Sequence, residues 1–208
     1  MLRPLMIACL FLSHTAYAEM TQDVIAVQTE WAEINYQVES DKKDERYQPL
    51  LANCEQMTAV DQVNTESLIW CGIVNSTYAG VAGGLSALKY AKIARKEFEQ
   101  ALEQDGAALS GSAYTSLGVL YYKVPGWPIG FGSDKKAEEL LKIGLEHNPD
   151  GIDSNYFYAE FLVDQGEEEA AREYLARAKN AAPRPGRELA DEGRHGEISA
   201  LLQQIAAD

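Results

Sequence analysis

The sequence predicts an all-α chain built as a solenoid of helical hairpins, and three observations predict it. Small and apolar residues recur at a fixed interval: Ala137, Leu141, Gly144 and Pro149 return as Ala171, Leu175, Ala178 and Pro183, each displaced by about 34 residues. The segments just before them also match, Tyr114-x2-Leu117-Gly118-x2-Tyr121 against Tyr158-Ala159-x2-Leu162. No segment alternates polar and apolar residues with period two over any length, so strands are not expected. The residue sizes supply the physical reason. Two paired helices approach closely only where Gly or Ala removes bulk, and Leu or Tyr on the same faces fills the space between.

Taken in order, residues 1–18 read as a secretory leader, with Arg3, an apolar run from Leu5 to Leu12, and Ala16-Tyr17-Ala18 ahead of a cleavage point before Glu19. The run is too short to span a bilayer comfortably. Residues 19–65 form an N-terminal helical pair. Thr21 to Val38 keeps Val24, Val27, Trp31, Ile34 and Val38 on one stripe. Ser40 to Arg46 is a charged connector, and the second helix begins near Pro49, which is tolerated in a first turn, carrying Leu50, Leu51, Cys54, Met57 and Val60 inward. Residues 66–183 hold three repeats, at 66–106, 111–149 and 152–183.

The first repeat pairs Glu66–Ala79 with a helix carrying Ala94-x3-Phe98-x2-Ala101-Leu102, joined by a wide Gly80–Gly84 loop. The second is interrupted. Gly118 to Ala137 spans about seven more positions than Ala159 to Ala171, and the excess falls in Val124-Pro-Gly-Trp-Pro-Ile-Gly-Phe-Gly132, where Pro and Gly exclude regular structure. Ser133 or Asp134 then caps the next helix. After the turn Asn148–Gly151, Asp153 or Ser154 caps the third repeat. Residues 184–208 form a C-terminal cap with Ile198, Leu201, Leu202 and Ile205 on one face, as a solenoid end requires.

At these residues the chain resembles the tetratricopeptide repeat superfamily, from Glu66 to Pro183 and most closely in the last two repeats. With the leader and the widened loops it is also similar to the bacterial periplasmic subgroup that includes the T-component accessory proteins of TRAP-type transporters. The superfamily resemblance implies a binding scaffold without catalytic activity. The subgroup resemblance implies association with a periplasmic solute-binding protein, or handling of an apolar small ligand.

Charge bounds the partners. The chain carries 18 Lys plus Arg against 32 Asp plus Glu, and removing residues 1–18 takes away Arg3 and no acid, for a net of −15. Such a chain is repelled by phosphate backbones and anionic surfaces, so neither nucleic acid nor stable membrane insertion after leader cleavage is expected. Cys54 and Cys71 lie equally far from a turn near Asp61–Asn64 and should face each other across two helices. They form either a disulfide closing a loop of about 17 residues, or two buried thiols.

The Pro125–Gly132 insert leads the candidate sites. Trp127 and Phe131, with Tyr121 and Tyr122 and the neighbouring Gly80–Gly84 loop, are expected to line an aromatic pocket, unless they simply pack over helix ends. Asn155 and Tyr156 are placed on a concave groove for a protein partner or peptide. Arg187 and Arg194, beside Arg184 and His195, offer an anion contact or complement the chain's own acids. Asp150 to Asn155 alternates oxygen ligands, but Phe161 occupies the position of the closing Glu, so a capped turn is expected rather than calcium. His147 and His195 follow no metal spacing, there is no Cys-x2-Cys, and Gly80–Gly84 lacks a following Lys-Ser or Lys-Thr. No cofactor and no enzyme activity are expected. The two functional expectations are an exported protein-binding scaffold and, second, an apolar-ligand carrier using the insert.

Overall fold

The computed structural model describes residues 20–207, so the expected leader at 1–18 lies outside the described residues. Among the described residues the chain is all-α. The helices are α1 (Gln22–Gln37), a 3-10 turn (Ser40–Lys42), α2 (Lys43–Thr58), α3 (Thr65–Ala82), α4 (Gly84–Asp105), α5 (Ala108–Lys123), α6 (Asp134–His147), α7 (Ile152–Asp164), α8 (Glu168–Lys179) and α9 (Glu188–Ala207). None is long and apolar enough to cross a membrane.

The local signals explain most boundaries. The Thr21 hydroxyl accepts from the Val24 amide, and the Asn64 side chain from the Ser67 amide at 2.7 Å, so each caps its helix. Ser133 caps α6 through the Lys136 amide, as expected. Three hairpins follow one another, α3/α4, α5/α6 and α7/α8, each packed on the next. Small residues set their spacing: a Cβ on Gly118 would lie 2.7 Å from Leu141 Cγ, and one on Gly144 would lie 2.3 Å from the Thr115 hydroxyl.

Three local expectations are corrected. The wide Gly80–Gly84 loop does not exist, because α3 continues through Gly80 to Ala82 and Gly83 alone separates it from α4. Val81 and Ala82 pack on the core of the N-terminal end, and that packing outweighs the weak helix propensity of glycine. Helix α2 begins at Lys43, inside the expected connector, so Pro49 sits in its interior rather than its first turn. The lost hydrogen bond is offset by burial of Tyr47, Leu50 and Cys54. Asp153 and Ser154 are not caps; Gly151 holds that position, while the Ser154 hydroxyl donates to the Asn148 and Gly151 carbonyls. Of the two alternatives for Cys54 and Cys71, the structure has the pair of thiols. The two cysteines do meet across α2 and α3, as buried free thiols, with Cys71 Sγ donating to the Cys54 carbonyl at 3.8 Å.

The largest departure is at long range. Helices α1, α3, α5, α7 and α9 each touch the next, and α9 returns to α1. The odd-numbered helices therefore close into a ring instead of leaving an open groove. Ala190 of α9 belongs to the same apolar cluster as Val24, Val27 and Trp31 of α1, and a Cβ on Gly193 would collide with the Tyr36 ring. A second apolar cluster runs through α3 to α9 and contains Phe98, Leu117, Leu141, Phe161, Leu175 and Ile198.

Candidate docking site

The expected groove residues are held by the turn before α7 and by the packing of α9 on α7. Asn155 is fully buried, and its side-chain amide donates to the Pro149 and Gly151 carbonyls at 2.8 Å, locking the turn before α7. Tyr156 is buried with the Arg194 guanidinium 4.5 Å from its ring centre. Neither faces solvent as a binding residue would. The two arginines of the expected anion contact are placed differently, for Arg187 is only partly buried and has no ion pair among the described residues. Arg194 is buried and donates to Asp153 at 2.8 Å and to Glu197, while Arg187 lies over the Trp70 ring at 4.8 Å. Burial opposes ionisation of Asp153, but Arg194 and Arg184 overcome it and hold the carboxyl below its usual range. The Asp150–Asn155 segment is thus committed to ion pairs and turn hydrogen bonds, and no group of acids, His or Cys able to hold a metal occurs among the described residues.

The aromatic residues around the insert divide. Tyr121 is buried, with Phe131 edge-on to it at 5.6 Å, and serves as the platform on which the loop rests. Tyr122 turns the other way, donating its hydroxyl to Glu160 of α7, which also pairs with Lys123 at 3.0 Å. The expected pocket of Tyr121, Tyr122, Trp127 and Phe131 is therefore not assembled. Trp127 is 88% exposed and Ile129 70% exposed.

That exposure belongs to an ordered loop. The Ile129 and Gly130 amides both donate to the Gly126 carbonyl, Gly132 donates to Pro125 at 3.0 Å, and Ser133 donates to Tyr121 at 2.8 Å. Only glycine fits at 132, since a Cβ there would lie 1.8 Å from the Val124 carbonyl oxygen. The loop folds against α4. Arg95 stands 5.0 Å from the Phe131 ring centre and 5.6 Å from that of Tyr121, and it is fixed by Glu99 at 2.7 Å. Between loop and helix opens a cavity of about 400 Å³ lined by Lys92, Arg95, Lys96, Glu99, Ile129 and Phe131, among others.

Helix α4 extends this edge. Leu85, Lys89, Lys92 and Lys96 follow helical spacing on one face, and Leu85 is 92% exposed. Leu85, Ile93, Trp127 and Ile129 are four of the five large apolar side chains exposed among the described residues. Sequence reasoning missed the α4 residues, although a signal exists. No Asp or Glu occurs from Ser67 to Lys96 or from Gly106 to Ser133, in a chain with 32 acids. Much of both stretches is the buried interior of α3 and α5, and their exposed parts contribute Leu85, Lys89, Lys92, Lys96, Trp127 and Ile129 to the edge.

Comparison with protein-family models and with curated proteins finds no match to this chain.

Proposed function

We propose that this chain is an exported, non-catalytic scaffold of tetratricopeptide type that docks its partner through the edge formed by α4 and the 125–132 loop. The observation that carries this reading is the exposure of Trp127 on a loop held rigidly against a cationic helix. An exposed indole on a hydrogen-bonded loop costs little backbone freedom when it is covered, the usual character of an interaction anchor. The partner surface that complements it combines apolar groups with negative charge. Export rests on the leader-like pattern of residues 1–18, and the repeat reading rests on the period linking Ala137–Pro149 to Ala171–Pro183. The non-catalytic reading is supported by the use of Asp153, Arg184, Arg194 and Glu197 as mutual ion-pair partners.

A photo-crosslinking side chain placed at 127 in the producing cell tests the edge. The expected result is an adduct that is absent when the same group replaces exposed Gln203 on α9, and that weakens in Lys92→Glu/Lys96→Glu. Equal labelling from both positions overturns the reading.

The cavity beside Lys92 and Ile129 favours a second reading, a carrier for a small anionic amphiphile. Its mark is a saturable change in tryptophan fluorescence on titration with laurate, present in the parent and absent in Trp127→Phe.

A further inference from the structure

Resting on the docking-edge reading, we infer that the surface this edge meets is an anionic lipid bilayer. The apolar groups are not one continuous patch. Leu85 projects from the tip of the α3/α4 hairpin, while Trp127 and Ile129 project from the tip of the next hairpin's loop. Separate apolar tips suit a soft, fluid surface into which each can sink, better than the shaped pocket of a folded protein. Tryptophan is the side chain most at home at the depth where headgroups meet acyl chains.

The cations are placed to match. Lys89, Lys92 and Lys96 stand on the same α4 face as Leu85, and Lys135 and Lys136 follow the loop at the start of α6. Their long stems let the ammonium groups stay among headgroups while the neighbouring apolar tips go deeper. Of the nearby acids, Glu99 is engaged by Arg95, Glu97 is buried against Asn75, Glu138 is engaged by Lys142, and the exposed Asp134 and Glu139 lie beside Lys135 and Lys136. The net charge of −15 on residues 19–208 does not forbid this contact. Repulsion from acids elsewhere is screened over about 8–10 Å at physiological salt, whereas Lys89, Lys92 and Lys96 would be in contact. No helix has to insert, in keeping with the lack of a membrane-spanning helix among the described residues.

The test uses residues 19–208, which hold both apolar clusters of the fold, and vesicles of equal parts phosphatidylglycerol and phosphatidylcholine. Co-sedimentation is expected with these vesicles and not with phosphatidylcholine alone, and it should weaken as salt rises. A blue shift of tryptophan emission should accompany it and disappear in Trp127→Phe. Trp127→Ser/Ile129→Ser and Lys92→Glu/Lys96→Glu should each weaken binding by about tenfold or more with an unchanged melting temperature. Binding that is identical in the parent and both double variants overturns the inference. So does absence of vesicle binding with a crosslink from position 127 to a protein, or with saturable laurate binding; either leaves the edge standing and replaces the bilayer as its partner. Absence of vesicle binding together with no crosslink removes both readings.

Discussion

Arg194 Nε donates to Asp153 Oδ1 at 2.8 Å, joining α9 to the first turn of α7 across 41 positions of sequence. Arg184 reaches the other Asp153 oxygen at 2.5 Å and also pairs with Asp191 at 2.6 Å, so the start of α9, the connector before it and α7 share one charge network. This network holds the last helix where it can meet the first.

Asp153→Ala should destabilise the chain by about 3 kcal/mol, because it leaves the buried Arg194 guanidinium with Glu197 as its one remaining carboxylate and takes a partner from Arg184. Thermal or urea unfolding measures this. Since the Asp153 carboxyl titrates below its unfolded value, its contribution is fully present above about pH 4 and declines as pH falls further, so parent and variant should converge in acid. A variant as stable as the parent at neutral pH removes the network from the account of ring closure.

Glu97 carries the opposite dependence. Burial raises its carboxyl to about 7, with the Asn75 amide opposing at 2.9 Å. Between the ordinary glutamate range and pH 7 the folded chain binds more protons than the unfolded one, so stability should fall as pH rises through this window. Glu97→Gln, which keeps a partner for Asn75, should match the parent near pH 5. It should exceed the parent at pH 8 by about 2–3 kcal/mol, at 1.36 kcal/mol for each unit of displaced titration. Urea midpoints at the two pH values decide it.

Gly144→Val should destabilise by about 2 kcal/mol or more, because its side chain would meet the Thr115 hydroxyl and backbone where α5 and α6 are closest. A midpoint shift of less than half that size would show that the hairpin can open at little cost.

Cys54 and Cys71 should resist thiol reagents in the folded protein, since both are buried. The hydrogen-bonding contact with Cys71, with burial next, also pushes the Cys54 thiol far above its usual titration. Unreduced protein denatured in urea should label at both. Failure to label there would reveal a bridge.

The helices could be located from the chain alone because their signals are local. A stripe such as Val24, Val27, Trp31 and Ile34, a cap such as Ser133, and small residues such as Gly118 and Gly144 act within one or two turns. The Pro125–Gly132 excursion was legible for the same reason, since Pro and Gly act on their own backbone. Where tertiary packing competes with a local preference, the reading failed: Pro49 and Gly80 lie inside helices because burial of their neighbours outweighs propensity.

What only the tertiary structure decided is which helix faces which. Tyr156 and Trp127 look equally available as aromatic residues in sequence, but one is covered by Arg194 and the other is not. That difference follows from the packing of α9 on α7, which brings Arg194 onto the Tyr156 ring across 38 positions while, among the described residues, no helix covers the 125–132 loop tip. Helical periodicity specifies an apolar face; it does not specify the distant segment that covers it, because the free energy of burial depends on area removed from water and not on sequence separation. The packing of α9 on α7 likewise turns Arg194 inward, while the edge of α4 and its loop keeps Leu85, Trp127 and Ile129 exposed.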